Sequence, residues 1–152
     1  PGPSLVEVPG IGAVLPLICY EGIFAEEVNA AGGRARVIVL ITNDAWFGPS
    51  SGPAQHLAQA QLRAIEQGLP VLRSANTGIS AIIDARGRVL ASLPMATAGA
   101  LDGRLPAALP PPPYVRLGDW PALLAMLVVL GAAALQRRSG PTRGIDPAGS
   151  AP

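Results

Sequence analysis

The sequence contains no lysine, one cysteine and one histidine. A structural zinc site built from four Cys or His ligands is therefore excluded. A disulfide within the chain is excluded as well, so the cysteine content says nothing about the redox compartment. The eleven basic residues, all arginine, stand against ten acidic ones, and the formal net charge of +1 excludes the strong positive field typical of nucleic-acid-binding domains. We accordingly predict no metal, no cofactor and no nucleic-acid partner.

The single cysteine, Cys19, directly follows an apolar run over residues 13–18. Such a run predicts a buried strand that ends at the thiol. A cysteine at the end of a core strand is accessible at the edge of the sheet, and its thiolate is a strong nucleophile when a neighbour takes its proton. A lone cysteine is more often a small buried apolar residue. Position alone leaves both interpretations open.

Up to residue 105, short β-branched runs alternate with segments of helical spacing. Pro53 is suited to open a helix and Gly68 to end it. Strands are predicted over residues 13–18, 37–42, 70–74, 79–84 and 89–93, and helices over 24–31 and 53–68. This alternation predicts an α/β layer structure.

The composition changes after Leu105. Residues 106–118 are rich in proline and predict a stiff extended spacer, with a peptide ligand for an aromatic groove as the alternative. The sequence from Trp120 to Leu135 is uncharged and almost wholly apolar. As a helix it spans about 24 Å, against about 30 Å for a hydrocarbon core. The domain boundaries predicted from this change are 1–105, 106–118, 119–136 and 137–152.

Flanking residues favour a membrane span over the alternative, a buried core helix. Trp120 occupies the start of the run, where an interfacial aromatic residue belongs, and Arg137 and Arg138 follow its end. With Arg143 these arginines outnumber Arg116 on the other side, so the positive-inside rule places a disordered tail over 137–152 in the cytoplasm. The domain that carries the thiol is then periplasmic.

Five short motifs, in this order and spacing, carry a resemblance to a known family: Cys19-Tyr20-Glu21, Thr42-Asn43-Asp44-Ala45-Trp46-Phe47-Gly48, Gly52-Pro53-Ala54-Gln55-His56, Arg63-Ala64-Ile65-Glu66 and Arg73-Ser74-Ala75-Asn76-Thr77-Gly78. Over residues 14–131 the sequence resembles the C-terminal half of the apolipoprotein N-acyltransferases, the membrane-bound branch of the nitrilase superfamily. The resemblance implies the second half of a nitrilase-like α-β-β-α sandwich, followed by one transmembrane helix in the bacterial inner membrane.

The resemblance also implies an activity. Cys19 would attack the ester carbonyl of a phospholipid and form a thioester. The acyl chain would then pass to the α-amine of a diacylglyceryl-cysteine at the N-terminus of an apolipoprotein, the last step of lipoprotein maturation. The implied partners are thus the phospholipid donor, the apolipoprotein acceptor and the membrane.

Individual site residues follow from the same resemblance. The backbone N–H of Tyr20 would be an oxyanion donor, with Glu21 supporting the site by hydrogen bonding or, alternatively, standing as a solvated turn residue. Trp46 would lie near the acyl-chain pocket, with a core aromatic as the alternative. His56 as general base is the weaker interpretation. The remaining motif residues are assigned as follows: Asn43 and Asp44 shape a loop, Arg63 and Glu66 form a structural pair, and Arg73, Asn76 and Thr77 either line the site or cap turns.

The nitrilase superfamily uses a Glu–Lys–Cys triad, and this sequence supplies only the cysteine. It also begins at Pro1 without a methionine, so we expect a fragment that is inactive alone, or an enzyme that has lost its activity. Two alternatives to the acyltransferase stay open: a nitrilase-type amidase, and a non-catalytic binding module anchored in the membrane.

Overall fold

The computed structural model describes residues 2–31 and 33–138, in a first compact unit that ends at Gly118 and a second that begins at Asp119. The first unit contains one six-stranded sheet whose strand order follows the chain order. The strands are β1 (Val6–Val8), β2 (Gly12–Ile18), β3 (Val37–Asn43), β4 (Val71–Asn76), β5 (Ser80–Ile83) and β6 (Val89–Leu93). The helices of this unit are α1 (Ala25–Asn29), α2 (Gly52–Gln67) and α3 (Pro113–Leu117).

The three central strands, β2, β3 and β4, are parallel, and β1, β5 and β6 pair antiparallel at the two sides. Parallel neighbours need a crossover, which α1 supplies between β2 and β3 and α2 supplies between β3 and β4. In register, Leu17 pairs with Leu40 and Leu40 with Arg73. The carboxyl ends of the three strands therefore meet at one edge of the sheet, which we call the carboxyl edge.

The hydrophobic core lies between one face of this sheet and the helices α1 and α2. Alternate strand residues point into it, as the two-residue period of a strand requires. Helix α2 contributes Ala60 and Ala64, which are 1% and 0% exposed, and side chains this small let the helix lie close to the sheet. The core is built around these buried residues: Leu15, Leu17, Val28, Ile38, Leu40, Val71 and Ile83.

The signals that bound helix α2 act as the sequence predicts. Pro53 occupies the first turn, and Gly68 caps the end in the left-handed region with φ +61°. The predicted helix over 24–31 is shorter, because Phe24 is extended and Ala30 already leaves the helix. The predicted α/β fold is confirmed. Two 3-10 helices, Cys19–Ile23 and Asp44–Phe47, follow β2 and β3 and were not predicted.

The proline-rich stretch, predicted as a stiff extended spacer, is also hydrogen-bonded to the rest of the first unit. The N–H of Leu109 donates to the carbonyl of Gly68 at 2.8 Å, and the guanidinium of Arg34 donates to the carbonyls of Leu109 and Gln67. An extended proline-rich chain forms no internal hydrogen bonds, so its carbonyls are free to accept from the domain. Residues 106–118 are thus part of the first unit.

The second unit contains helix α4 (Trp120–Arg138), whose 19 residues rise about 28 Å. The segment Trp120–Arg137 of this helix has a mean hydropathy of 1.5, and none of its residues is buried. Its length and composition therefore allow it to cross a membrane. The alternative of a buried core helix has no support, since the apolar side chains of α4 are exposed. The helix continues through Arg137 and Arg138, two residues past the predicted boundary. The rest of the predicted tail, with Arg143, lies outside the described residues.

Candidate active site

Cys19 is the first residue after β2 and has a backbone φ of +53°. This left-handed conformation is costly for a residue with a Cβ, on the order of 1–3 kcal/mol, and such strain is concentrated at functional sites. The thiol is free and half-buried at the carboxyl edge of the sheet. The predicted strand that delivers the cysteine to this edge is confirmed.

Two charged side chains fix the turn that holds Cys19. The Glu21 carboxylate accepts the backbone N–H of Ile18 at 2.7 Å. At the other end, Nη1 of Arg63 donates to the carbonyl of Ile23 at 3.2 Å, while its Nη2 lies 2.8 Å from a carboxylate oxygen of Glu66. The predicted Arg63–Glu66 pair is therefore present, and it also holds the backbone of the cysteine turn.

Packing holds the same turn against the core. A Cβ added at Gly22 would lie 2.9 Å from Cδ1 of Leu40, closer than real Cβ atoms approach. The 3-10 helix that begins at Cys19 therefore lies directly over β3 because residue 22 is a glycine.

Large apolar side chains are exposed at the ends of β2 and β3 and in the turns that follow. Trp46 is 83% exposed and Tyr20 65%, and the Tyr20 ring packs edge-on against Phe24 at 5.6 Å. The alternative that Trp46 is a core aromatic is therefore wrong for this chain. We call the following six residues the apolar rim: Ile18, Tyr20, Phe24, Ile41, Trp46 and Phe47. Apolar patches of this kind mark interaction sites.

Asp44 organises a buried polar network at the end of β3. It is 1% exposed; its Oδ1 accepts from Thr42 Oγ1 at 3.2 Å and lies 2.9 Å from Nδ1 of His56. Its Oδ2 accepts from Nη2 of Arg73. A carboxylate can only accept, so Nδ1 of His56 carries the proton. Asp44 does more than shape a loop, which is all that the sequence predicted for it.

His56 is committed to this network. Its ring is 6.0 Å from Phe47 in an edge-on contact, and among the described residues its hydrogen bond goes to Asp44 and none reaches Cys19. Its Nε2 is buried without a partner in that part of the chain. This geometry gives the general-base interpretation of His56 no support.

Arg73 is the cation of the network, with a side chain that is 0% exposed. Burial lowers the pKa of Arg73 below its ordinary value, and the nearby Asp44 and, in smaller part, Cys19 raise the pKa in opposition. An arginine remains protonated through such shifts. A positive charge is thus buried within electrostatic range of the thiol.

Asn76 and Thr77 act on the ends of the strands. Nδ2 of Asn76 donates to Oδ1 of Asn43 at 3.1 Å, which joins β4 to β3 at their last residues. The same Asn43 oxygen accepts the N–H of Ala45. Thr77 has a φ of +59° and its hydroxyl donates to the carbonyl of Asn76. These residues therefore close turns at the carboxyl edge.

Comparisons with known proteins agree with this geometry. Residues 2–109 match the family model described as carbon-nitrogen hydrolase. An apolipoprotein N-acyltransferase from Bradyrhizobium diazoefficiens is 56% identical over 131 residues, covering 86% of this chain and 24% of the relative. One from Rhodopseudomonas palustris is 48% identical over 133 residues, covering 88% and 25%. This chain spans about a quarter of the length of these curated relatives.

A solved structure supports the fold. A mutant of the Nesterenkonia AN1 amidase from the nitrilase superfamily superimposes with a TM-score of 0.50 and 22% identity, over 62% of this chain and 39% of the amidase. The predicted nitrilase-like fold is confirmed by this likeness and by the family match.

Proposed function

Because this chain belongs to the carbon-nitrogen hydrolase family, we propose that Cys19 is the nucleophile of an acyl transfer from a phospholipid to the N-terminal amine of a diacylglyceryl-cysteine apolipoprotein. The observation that carries the proposal is the strained, half-buried thiol of Cys19 at the carboxyl edge of the sheet. The names of the relatives at 56% and 48% identity supply the substrate class.

The chemistry runs in two steps through a covalent intermediate, which replaces one difficult step by two easier ones. In the first, the Cys19 sulfur bonds to the ester carbonyl carbon, the ester C–O bond breaks, and the thiol proton ends on the hydroxyl of the departing lysophospholipid. In the second, the apolipoprotein amine attacks the thioester, the C–S bond breaks, and an amide and a free thiol result. The N–H of Tyr20 is a proposed donor to the oxyanion of each step.

The base and the lysine of the superfamily triad are proposed to lie outside these residues, because the sequence contains no lysine at all. The Glu21 carboxylate accepts the backbone N–H of Ile18 at 2.7 Å. Its proposed part is to support the turn that presents the thiol.

The apolar rim is proposed to receive the acyl chain, with Trp46 beside the acyl-chain pocket. A substrate with long hydrocarbon chains needs an apolar surface next to the thiol, and an exposed Trp46 supplies one. Helix α4 is proposed to anchor the protein in the bacterial inner membrane, with the Cys19 domain in the periplasm and the chain after Arg138 in the cytoplasm. The arginines at the end of α4 support this orientation.

The second candidate is a nitrilase-type amidase, which the likeness to the Nesterenkonia fold would fit. The exposed apolar rim and the length of α4 favour a lipid substrate. A binding module without catalysis is favoured by the missing lysine alone.

The proposal is tested by detecting the acyl-enzyme intermediate. In the Bradyrhizobium diazoefficiens relative, the aligned segment is replaced by this chain, and the chimera is incubated with phospholipid without an amine acceptor. We expect one acyl mass on the peptide that contains Cys19, released by hydroxylamine, which cleaves thioesters. The matched control carries C19A and should show no adduct. An adduct of equal amount on C19A would show that the acyl group is carried elsewhere and would reject the proposal.

A further inference from the structure

Arg73 follows Val71 and Leu72 in β4, and its side chain is 0% exposed. Burying a guanidinium is expensive unless it is paired and its N–H groups are used. Arg73 pairs with Asp44, but its Nε and Nη1 are buried without a partner among residues 2–31 and 33–138. Buried donors without partners are rare in folded proteins and call for an explanation.

A purely structural ion pair explains these observations poorly. Thr42 and His56 both reach Oδ1 of Asp44, and Nη2 of Arg73 is the partner of Oδ2, so the ion pair uses only one nitrogen of the guanidinium. The N–H groups of Arg73 that do not face Asp44 satisfy nothing that the structure describes. The pair therefore carries a desolvation cost that its own hydrogen bonds do not repay.

Strand register places Arg73 at the same edge of the sheet as the cysteine turn. Leu17, Leu40 and Arg73 form a row across β2, β3 and β4, and Cys19 follows Leu17 by two residues. Cys19 is the first residue past β2, at the carboxyl edge where Asp44, the partner of Arg73, follows β3. The contribution of Cys19 to the pKa of Arg73 is consistent with this proximity.

Helix α1 brings the exposed carboxylates of Glu26 and Glu27 near the cysteine turn, and the other charged groups there have partners. On the turn itself, Glu21 accepts from the backbone. From α2, Arg63 pairs with Glu66 and His56 donates to Asp44, and from β3 and its turn the carboxylate is Asp44. Arg63 leaves its Nε buried without a partner among the described residues, whereas Arg73 leaves both Nε and Nη1.

We propose that Arg73, anchored by Asp44, is a positioning residue for the Cys19 thiolate. Its charge stabilises the anionic sulfur before attack and the negative charge that develops as the thioester forms. The stabilisation of charge during thioester formation rests on the proposed acyl transfer, whereas the stabilisation of the Cys19 thiolate does not depend on it.

The test is the pH dependence of Cys19 alkylation by iodoacetamide, in which the sulfur displaces iodide and the thiol proton goes to solvent. Cys19 is the only thiol of the sequence, so the label reports on one site. The comparison is D44N against D44N/R73Q, because an asparagine side chain keeps the shape of Asp44 and the pair differs only in the charge at position 73. We expect the alkylation midpoint to be about one pH unit higher without Arg73, roughly a tenfold loss of thiolate at neutral pH.

Two further variants keep the test decisive. R73K retains a positive charge and should keep its midpoint near that of the wild type even if the double variant does not fold. R88Q removes an arginine that pairs with Asp84 and is 68% exposed, and should leave the alkylation midpoint of Cys19 unchanged. Equal midpoints for folded D44N and D44N/R73Q, or an R73K shift as large as that of the double variant, would overturn the assignment.

The acyl-adduct experiment separates this inference from the proposed function. If the chimera forms no Cys19 adduct while the midpoints differ as expected, the acyl transfer is wrong and the thiolate role of Arg73 holds. If the adduct forms and the midpoints are equal, the acyl transfer holds and Arg73 has only a structural role.

Discussion

The carboxylate of Glu21 accepts the backbone N–H of Ile18 at 2.7 Å, across the turn whose first residue is the cysteine. The bond joins the last residue of β2 to the third residue of the following 3-10 helix. It holds Cys19 in a conformation with a φ of +53° that the isolated backbone disfavours. Side-chain chemistry two residues after the thiol thus determines how the thiol is presented.

Removing this bond should disturb the site more than the fold. E21A is expected to lower acyl transfer in the chimera by about tenfold or more, because small displacements of a reacting group are costly. The loss of unfolding free energy should be about 1 kcal/mol, the usual value for one hydrogen bond. E21Q, which still accepts through its amide oxygen, should recover much of the rate. The control is E7A, an exposed glutamate on the edge strand β1; equal losses for E7A and E21A would contradict the interpretation.

Gly78 should not tolerate a side chain. Its added Cβ would fall 2.2 Å from Oδ2 of Asp44, so G78A must displace a carboxylate that has three partners. We expect a loss of roughly 2–3 kcal/mol of unfolding free energy, measured by urea unfolding. G131A is the matched control, since no atom lies within 4 Å of its added Cβ. A G78A protein as stable as G131A would mean that the Asp44 network is not packed as described.

Acid should weaken the β5–β6 hairpin through Asp84. Burial acts to raise the pKa of Asp84, but hydrogen bonds from the backbone and side chain of Arg88 and the backbone of Arg86 outweigh it and hold the pKa below its ordinary value. A lowered carboxyl pKa stabilises the fold above the unfolded-state pKa of about 3.9, and this contribution disappears as pH falls through the folded value.

The corresponding measurement is urea unfolding at pH 7 and near pH 3. The wild type should lose more unfolding free energy between the two pH values than D84N, which cannot titrate. D102N, on an exposed segment, serves as the control and should behave like the wild type. The same loss in D84N and the wild type would assign the acid sensitivity to other groups.

Association of the protein with membranes should depend on helix α4. A chain that ends at Gly118 should partition to the soluble fraction, because the removed helix supplies the long apolar surface. A reporter that works only in the cytoplasm, fused after Arg138, should be active. Unchanged membrane partitioning after the deletion would reject the span, and an inactive reporter with an intact protein would reverse the orientation.

The 152-residue chain alone should transfer no acyl group above the C19A background. Catalytic groups that act as a unit lose several orders of magnitude in rate when one is missing, and this sequence supplies no lysine. The assay is transfer from phospholipid to a diacylated lipopeptide, with the chimera as positive control. Turnover by the isolated chain at the rate of the chimera would show that the lysine is dispensable.

The sequence predicts local structure well where one physical signal dominates. Continuous apolar runs predicted the strands β2 and β3. Pro53 and Gly68 predicted the two ends of α2. The proline-rich stretch was predicted less well, because the bond from Leu109 to Gly68 joins residues far apart in the chain. The proline content of a segment indicates how stiff the segment is, but it does not indicate which distant residue the segment will bind.

The site was predicted only in part for a related reason. The strand that ends at Cys19 could be predicted from its own residues, whereas the network of Asp44 comes from β3, α2 and β4 and exists only once these elements are in register. Two signals were available: a lone histidine shortly after Asp44, and the charge of Arg73 directly after the apolar residues Val71 and Leu72. Both residues could be recognised as members of one network only from the burial of their side chains, which cannot be read from the sequence.

The strand order of the sheet has a consequence for synthesis on the ribosome. Since each strand pairs with its neighbour in the chain, each strand from β2 onward emerges after a strand it pairs with, and these six strands can assemble in the order of translation. The cysteine turn and Asp44 are synthesised before Arg73, which follows Asp44 by 29 residues in the chain. A nascent chain halted before β4 would present a carboxylate without its cation, so the Asp44 network is complete only when that strand docks.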